Sequence, residues 1–179
     1  RDPMLGYKMS LSYQKSYFSN LFISYAKGYK AGGANQQPLL DIRNRPFGPE
    51  FIDNFELGIK TIKDNYVFSA TSFYGFRRDQ QVSVSSQQEL GNPNSFYFFT
   101  ANSGKGTLKG FEAEFSYRFL NSWFATSSLG LLDTYVEKFS YLTSNGLSYG
   151  GGRGSAMAPR LTGSFGIKYD MKKTYFSFI

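Results

Sequence analysis

Strict two-residue alternation of apolar and polar side chains is the feature that most constrains this sequence. Successive side chains of a β-strand point to opposite faces, so this period predicts strands with one apolar and one polar face. The alternation is clearest in four segments, which are residues 5–14, 54–60, 110–119 and 160–169. No charged residue falls on the apolar face in any of them. Each of these segments is therefore predicted to be a strand.

Further strand-like segments complete the pattern. Residues 21–29, 66–76 and 123–136 alternate less cleanly, and an eighth segment begins at Thr174. A membrane-spanning helix would need about 18 or more consecutive apolar residues, whereas uncharged runs such as 119–132 are rich in Asn, Ser, Thr and Gly. The sequence predicts an all-β fold of about eight antiparallel strands.

The connections between these strands alternate in length. Short polar turns are expected near residues 15–20, 62–65, 120–122 and 170–173. Long stretches rich in Gly, Pro, Asn and Ser lie between them, at residues 31–49, 83–95 and 140–158. In an up-and-down sheet the short turns lie at one end and the long loops at the other. That asymmetry is typical of outer-membrane β-barrels.

A soluble antiparallel sandwich is the structural alternative, because alternation alone does not distinguish a lipid-facing surface from a packed core. Sandwich strands average about 5–6 residues with turns every 8–12 or so. Here the tight turns are much farther apart, and the alternating runs approach the roughly 9–11 residues that cross a bilayer. Aromatic residues near the strand ends are expected to form an interfacial girdle; they are Tyr13, Phe18, Tyr66, Trp123, Tyr169 and Tyr175. The sequence favours a transmembrane barrel.

Composition excludes several classes of function. The chain has no Cys and no His, which rules out disulfides, Ser-His-Asp and Cys-His catalytic arrangements, and the common zinc sites that contain His within this segment. Carboxylate-only catalysis or Mg²⁺ and Ca²⁺ binding stays formally open. We predict no catalytic residue, no metal site, no cofactor and no enzymatic activity. The net charge of +7 is scattered and accompanies no nucleic-acid-binding motif, so no nucleic-acid partner is expected.

Five short strings occur in a recognisable order along the chain. They are YAKGYKAGGAN at residues 25–35, FGPEFIDNFELGIK at 47–60, SFY at 72–74 followed by DQQV at 79–82, TANSGKGTLKGFEAE at 100–114, and APR at 158–160. In this order and spacing they resemble the TonB-dependent receptor family, which imports scarce nutrients across the bacterial outer membrane. The resemblance extends over nearly the whole chain.

The resemblance implies a sector of a 22-stranded barrel that is closed by an N-terminal plug. Residues 1–179 would be a partial barrel domain, with the plug and the C-terminal strands outside it. The implied function is energy-coupled import, with a ferric siderophore as the leading ligand and Fe³⁺ carried by that ligand. The implied partners are outer-membrane lipid, lipopolysaccharide, and the TonB-ExbB-ExbD complex, which would be reached through the missing N-terminal region.

Basic and aromatic residues at the loop end of the strands are the candidate ligand contacts. They are Arg43, Arg45, Tyr149 and Arg153 in loops and Arg77 and Arg78 at a strand end, where an anionic siderophore or a lipopolysaccharide phosphate would suit them equally. Charged residues on the polar face are expected to form ion pairs in the lumen or to contact the plug; they are Glu56, Lys60, Glu112, Glu114 and Arg118.

Rival functions remain at this stage. A passive porin or an adhesin-type barrel would share the alternation and lack the plug, and an outer-membrane hydrolase would need a catalytic base that this segment does not contain. A plug preceding this segment would distinguish the receptor from all three.

Overall fold

Strands dominate the computed structural model, which describes residues 4–38, 40–89, 91–143, 146–171 and 174–178, the last group and residue 171 without their side chains. In chain order the strands are β1 (Tyr7–Ser16), β2 (Ser19–Lys30), β3 (Gly33–Ala34), β4 (Pro46–Phe47), β5 (Glu50–Ile62), β6 (Tyr66–Arg78), β7 (Gln81–Gln87), β8 (Phe96–Asn102), β9 (Lys105–Leu120), β10 (Trp123–Val136), β11 (Phe139–Thr143), β12 (Gly146–Gly150), β13 (Leu161–Met171) and β14 (Thr174–Phe178). Short 3₁₀ turns occupy Ile42–Asn44 and Pro93–Ser95.

One eight-stranded antiparallel sheet forms the wall of the molecule. Its strand order is β1-β2-β5-β6-β9-β10-β13-β14, so every wall strand pairs with its neighbours along the chain once the loop strands are set aside. This up-and-down topology and the number of strands confirm the predicted fold. Among the described residues, no helix has the length and apolar character needed to cross a membrane.

The apolar face of the wall is open to its surroundings. Leu11, Leu57 and Phe165 lie at the middle of this face and keep 71%, 61% and 61% of their surface exposed. A soluble sandwich would cover such residues with a second sheet, and no second layer of the described chain lies over them. An exposed apolar surface of this size is typical of an interaction surface such as the lipid side of a barrel, and the sandwich alternative is wrong.

Aromatic rings collect at the short-turn end of the wall. Trp123 lies 4.7 Å from Tyr169 and 6.1 Å from Phe119, and Tyr66 lies 6.2 Å from Phe115, measured between ring centroids. Rings of this kind suit the boundary between hydrocarbon and water. The side chain of Tyr175, which was expected in the girdle, lies outside the described part of the chain. Residues 172 and 173 of the last predicted turn also lie outside it.

The long connections are folded, which the sequence did not predict. We call residues 31–49, 79–104 and 137–160 the first, second and third loops. Strand β3 pairs with β4 in the first loop, β7 with β8 in the second, and β11 with β12 in the third. The second loop is also longer than the predicted 83–95, because the wall strands end at Arg78 and resume only at Lys105.

Candidate functional site

The three loops share one apolar cluster. Leu40 of the first loop and Val84, Tyr97 and Phe99 of the second are buried, with 3–7% of their surfaces exposed. Phe139 and Tyr141 of the third loop pack against them. Phe99 and Tyr141 meet edge to face, with ring centroids 6.2 Å apart, a preferred geometry for aromatic pairs. The loops therefore form a single layer with its own small core.

Two asparagines connect the first and second loops through their side-chain amides. The Asn35 Nδ2 donates to the carbonyl oxygen of Thr100 at 2.9 Å, and the Thr100 N–H donates to Asn35 Oδ1 at 2.8 Å. Asn102 pairs with Gly48 in the same way: the Gly48 N–H donates to Asn102 Oδ1 at 2.7 Å, and Asn102 Nδ2 donates to the Gly48 carbonyl oxygen at 3.2 Å. Asn44 links the first loop to the third by donating to the Leu142 carbonyl at 2.9 Å.

A buried carboxylate ties the loops to the wall. Glu50 begins β5 and is 6% exposed. Arg77 Nε donates to Glu50 Oε1 at 2.6 Å, with a second contact from the same guanidinium, and the Gln81 N–H donates to Glu50 Oε2 at 2.9 Å. The Gln81 side chain then donates to the carbonyls of Ala31 and Gly48 at 2.8 and 3.0 Å. Arg77, a predicted ligand contact, is thus engaged by Glu50.

Arg43 and Arg45 remain at the surface of the first loop. Arg43 pairs with Asp41 through its Nη2 at 2.7 Å and its Nε at 3.1 Å, and these hydrogen bonds lower the pKa of Asp41 to about 2. Arg45 donates to the backbone carbonyls of Leu40 and Pro38. Arg43, Asp41 and Tyr97 line a cleft of about 440 Å³ between the first and third loops.

Tyr149 and Arg153 lie together in a second cleft. This cleft has a volume of about 430 Å³ and lies between strand β7 and the third loop. Val136 and Arg153 are joined by a backbone bridge, with the Val136 N–H donating to the Arg153 carbonyl at 2.9 Å. Tyr149 is 75% exposed. The structure brings these two predicted contacts together and places Arg43 in a separate cleft.

Arg78 points away from the loop layer. Strand register puts it on the same face as Phe51 and Lys105, which is the apolar face. Its Nη2 pairs with Asp53 at 2.8 Å, and Asp53 also accepts a 2.6 Å hydrogen bond from the Tyr25 hydroxyl. Arg77 and Arg78, predicted as one pair, therefore serve opposite faces of the wall.

The charged side chains of the polar face have partners other than those that the sequence predicted. Glu56 lies 3.9 Å from Lys8 and accepts hydrogen bonds from Ser24 at 3.0 Å and Asn54 at 2.8 Å. Arg118 lies over the Phe124 ring, 5.0 Å from its centroid, and Lys60 is close to Asn20 and Ser69 by register.

Two carboxylates on this face are left without a cation. Within the described ranges, neither Glu112 nor Glu114 forms an ion pair. They are two residues apart on one strand, so both face the lumen, and register places Thr71 and Ser69 beside them. Nothing in the described parts groups three or more acidic side chains as a metal site.

Sequence reasoning missed the residues that join the loops. Asn35, Glu50 and Gln81 were not named as site residues, although all three occur in the strings that carried the family resemblance. Asn44 and Asn102 were missed as well. An Asn or Gln in a polar loop gives no signal of its own, because its partners are backbone groups distant in sequence.

Comparisons with known proteins agree with this architecture. Residues 5–176 match the family described as "TonB dependent receptor-like, beta-barrel". The pesticin receptor of Yersinia enterocolitica serotype O:8 / biotype 1B is 28% identical over 122 residues, which are 68% of this chain and 17% of that protein. The chain thus spans about a sixth of this curated relative.

Two solved structures superimpose on nearly the whole chain. The ferric yersiniabactin uptake receptor FyuA from Yersinia pestis is 20% identical with a TM-score of 0.71, covering 95% of this chain and 24% of that one. The siderophore receptor PiuA from Acinetobacter baumannii is 16% identical with a TM-score of 0.67, covering 92% and 23%. The chain therefore belongs to the TonB dependent receptor-like β-barrel family of the bacterial outer membrane.

Proposed function

We propose that this chain is the ligand-capturing part of a receptor that imports a ferric siderophore with energy supplied through TonB. The observation that carries the proposal is the folded layer of three loops, whose clefts display Arg43, Tyr149 and Arg153. Cationic and phenolic side chains suit an anionic, oxygen-rich ligand. Relatives described as a ferric yersiniabactin uptake receptor and a siderophore receptor support this choice of ligand class.

In this mechanism the loops and the polar face of the wall bind the ligand, and Fe³⁺ enters as cargo. Arg45, which donates to the Leu40 and Pro38 carbonyls, is a second cation of the first loop that can contact the ligand. A plug and the TonB-ExbB-ExbD complex would supply the opening step. This chain supplies the binding surface and the wall.

Growth under iron limitation tests the proposal. A strain without the receptor should fail to grow on ferric yersiniabactin or another ferric siderophore as sole iron source, and the intact receptor should restore growth only when TonB is present. Restoration without TonB would instead indicate a passive porin, which is the second candidate. Failure with every ferric siderophore would overturn the ligand class.

We also propose that Glu112 and Glu114 bind basic side chains of the plug. Charge-assisted hydrogen bonds contribute about 1.5–3 kcal/mol each, so the double substitution E112Q/E114Q in the intact receptor should loosen the plug. The expected result is increased entry of a large antibiotic that the closed barrel excludes. Glu89→Gln, which changes an exposed loop carboxylate bonded to Asn92, is the control and should leave entry unchanged. Equal entry in both variants would contradict plug contact.

Lipopolysaccharide is the partner that we propose for the outer face. Lys105 lies directly opposite Arg78, and Lys27 lies opposite Asp53, just above the apolar band. Three cations share this place with one carboxylate, Asp53, which pairs with Arg78, so a phosphate there would neutralise the remaining positive charge. Acyl chains would cover Leu57 and its neighbours below.

Lipid retention tests this contact. The R78Q/K105Q receptor should retain on the order of tenfold less lipopolysaccharide after detergent purification, because each lost charge-assisted contact weakens phosphate binding. Lys60→Gln, a charge removal on the polar face, should retain the wild-type amount. Retention that falls equally in both variants would indicate a general charge effect and would contradict the site.

A further inference from the structure

Glu50 contacts parts of the chain that the sequence keeps far apart. Its two carboxylate oxygens accept from Arg77 at the end of β6 and from the backbone of Gln81 at the start of the second loop. The Gln81 amide continues the connection to Ala31 and Gly48, at the two ends of the first loop. A buried carboxylate is tolerated when it is paired and its remaining lone pairs are satisfied, and Glu50 meets both conditions.

The connections beyond Glu50 run between loops. Asn35 and Asn102 each pair with both backbone groups of a residue on the other loop, and Asn44 reaches the third loop. The shared apolar cluster adds a second, independent connection among all three loops. Displacing one loop would therefore expose apolar surface on the other two and leave half-buried backbone groups, such as those of Thr100, without partners.

We propose that the three loops form one cooperative unit in which Glu50 is the positioning residue that fixes the unit to the wall. The loops open together, and no single loop moves as an independent lid. This inference rests on the proposed function only in assuming that the ligand binds to this unit. The cooperativity itself follows from contacts within the chain.

Loss of the Glu50 charge would leave the half-buried Arg77 guanidinium without its anion and weaken the Gln81 contact. The contact between wall strands β5 and β6 and the contact between the wall and the second loop would then be weakened together. Asp41 offers a matched contrast, since it is a carboxylate of the first loop whose partner, Arg43, lies two residues away on the same loop. Removing the Asp41 charge breaks an ion pair and no connection between loops.

Hydrogen exchange on the intact, ligand-free receptor tests the proposal. In Glu50→Gln, backbone amides of β4, β7 to β8 and β11 to β12 should all exchange about tenfold or more faster, while the wall strands keep their protection. Asp41→Asn should exchange like the wild type in all three loops. Faster exchange confined to the first loop, or none in the third, would overturn the cooperative unit.

Two additions keep the test decisive. If Glu50→Gln fails to assemble, Asn35→Ala breaks the contact between the first and second loops and should produce the same loss of protection in all three loops. Affinity for ferric yersiniabactin should fall in Glu50→Gln and hold in Glu89→Gln, which changes an exposed carboxylate of the second loop that lines neither cleft. Absence of wild-type binding would count against the proposed ligand, whereas the exchange pattern alone decides the loop unit.

Discussion

Replacing Leu57 by Arg should destabilise the intact receptor by about 2–4 kcal/mol, the cost of a cation at the bilayer midplane on the lipid face of a barrel. Leu57 is the central outward residue of β5, between Phe55 and Ile59, and is 61% exposed. The guanidinium would have to enter hydrocarbon or distort the bilayer to reach water. Urea unfolding of the receptor in lipid bilayers measures the change.

Thr71→Arg is the matched control. Thr71 lies in β6 opposite Gly58 and Glu112 on the polar face, where an added cation stays hydrated and lies near a carboxylate. The expected change is below about 1 kcal/mol. If the two variants were equally stable, the apolar face would not contact lipid, and the orientation of the wall would have to be reversed.

Replacing Gly151 by Ala should destabilise the folded third loop. Gly151 has φ of +78°, a conformation that costs an L-residue about 1–2 kcal/mol. A Cβ there would also overlap the carbonyl oxygen and carbon of Glu137, so the backbone turn after β12 would have to move. Limited proteolysis of the intact receptor should show much faster cleavage within residues 137–160.

Gly146→Ala separates the two causes. Gly146 lies in the same loop with a φ of +107°, and a Cβ there would meet nothing within 4 Å. This variant should lose only the conformational term of about 1–2 kcal/mol and keep the third loop resistant to protease. Equal protease sensitivity in the two variants would mean that backbone conformation, and not the overlap with Glu137, controls the loop.

The wall of the molecule was largely predictable from the sequence. Alternation located the wall strands, and the same period placed Glu56, Glu112 and Glu114 on the polar face, where the structure has them. Both results depend on local geometry, because a strand exposes alternate residues whatever its neighbours are. Whether a second sheet covers the apolar face was not local information, and the exposure of Leu11 and Leu57 in the structure shows that this face is open.

The loops were less predictable. Residues 83–95 were expected to be a loop, although Val82 and Val84 alternate with serines, and the partner strand with Tyr97 and Phe99 was not predicted. Short hairpins such as β7–β8 are marginal alone and depend on the apolar cluster that they form with Leu40 and Tyr141. Such stabilisation exists only once the three loops meet.

The sequence by itself determined the antiparallel wall, its two faces and the family, because strand periodicity and motif order are properties of neighbouring residues. Only the tertiary structure decided which partner each charged side chain has. Arg77 and Arg78 are adjacent in sequence, yet Arg77 pairs with Glu50 next to the loops and Arg78 pairs with Asp53 on the outer face. The physical reason is that a strand points neighbouring side chains to opposite faces. The partners of these two arginines come from segments some 25 residues or more away in sequence.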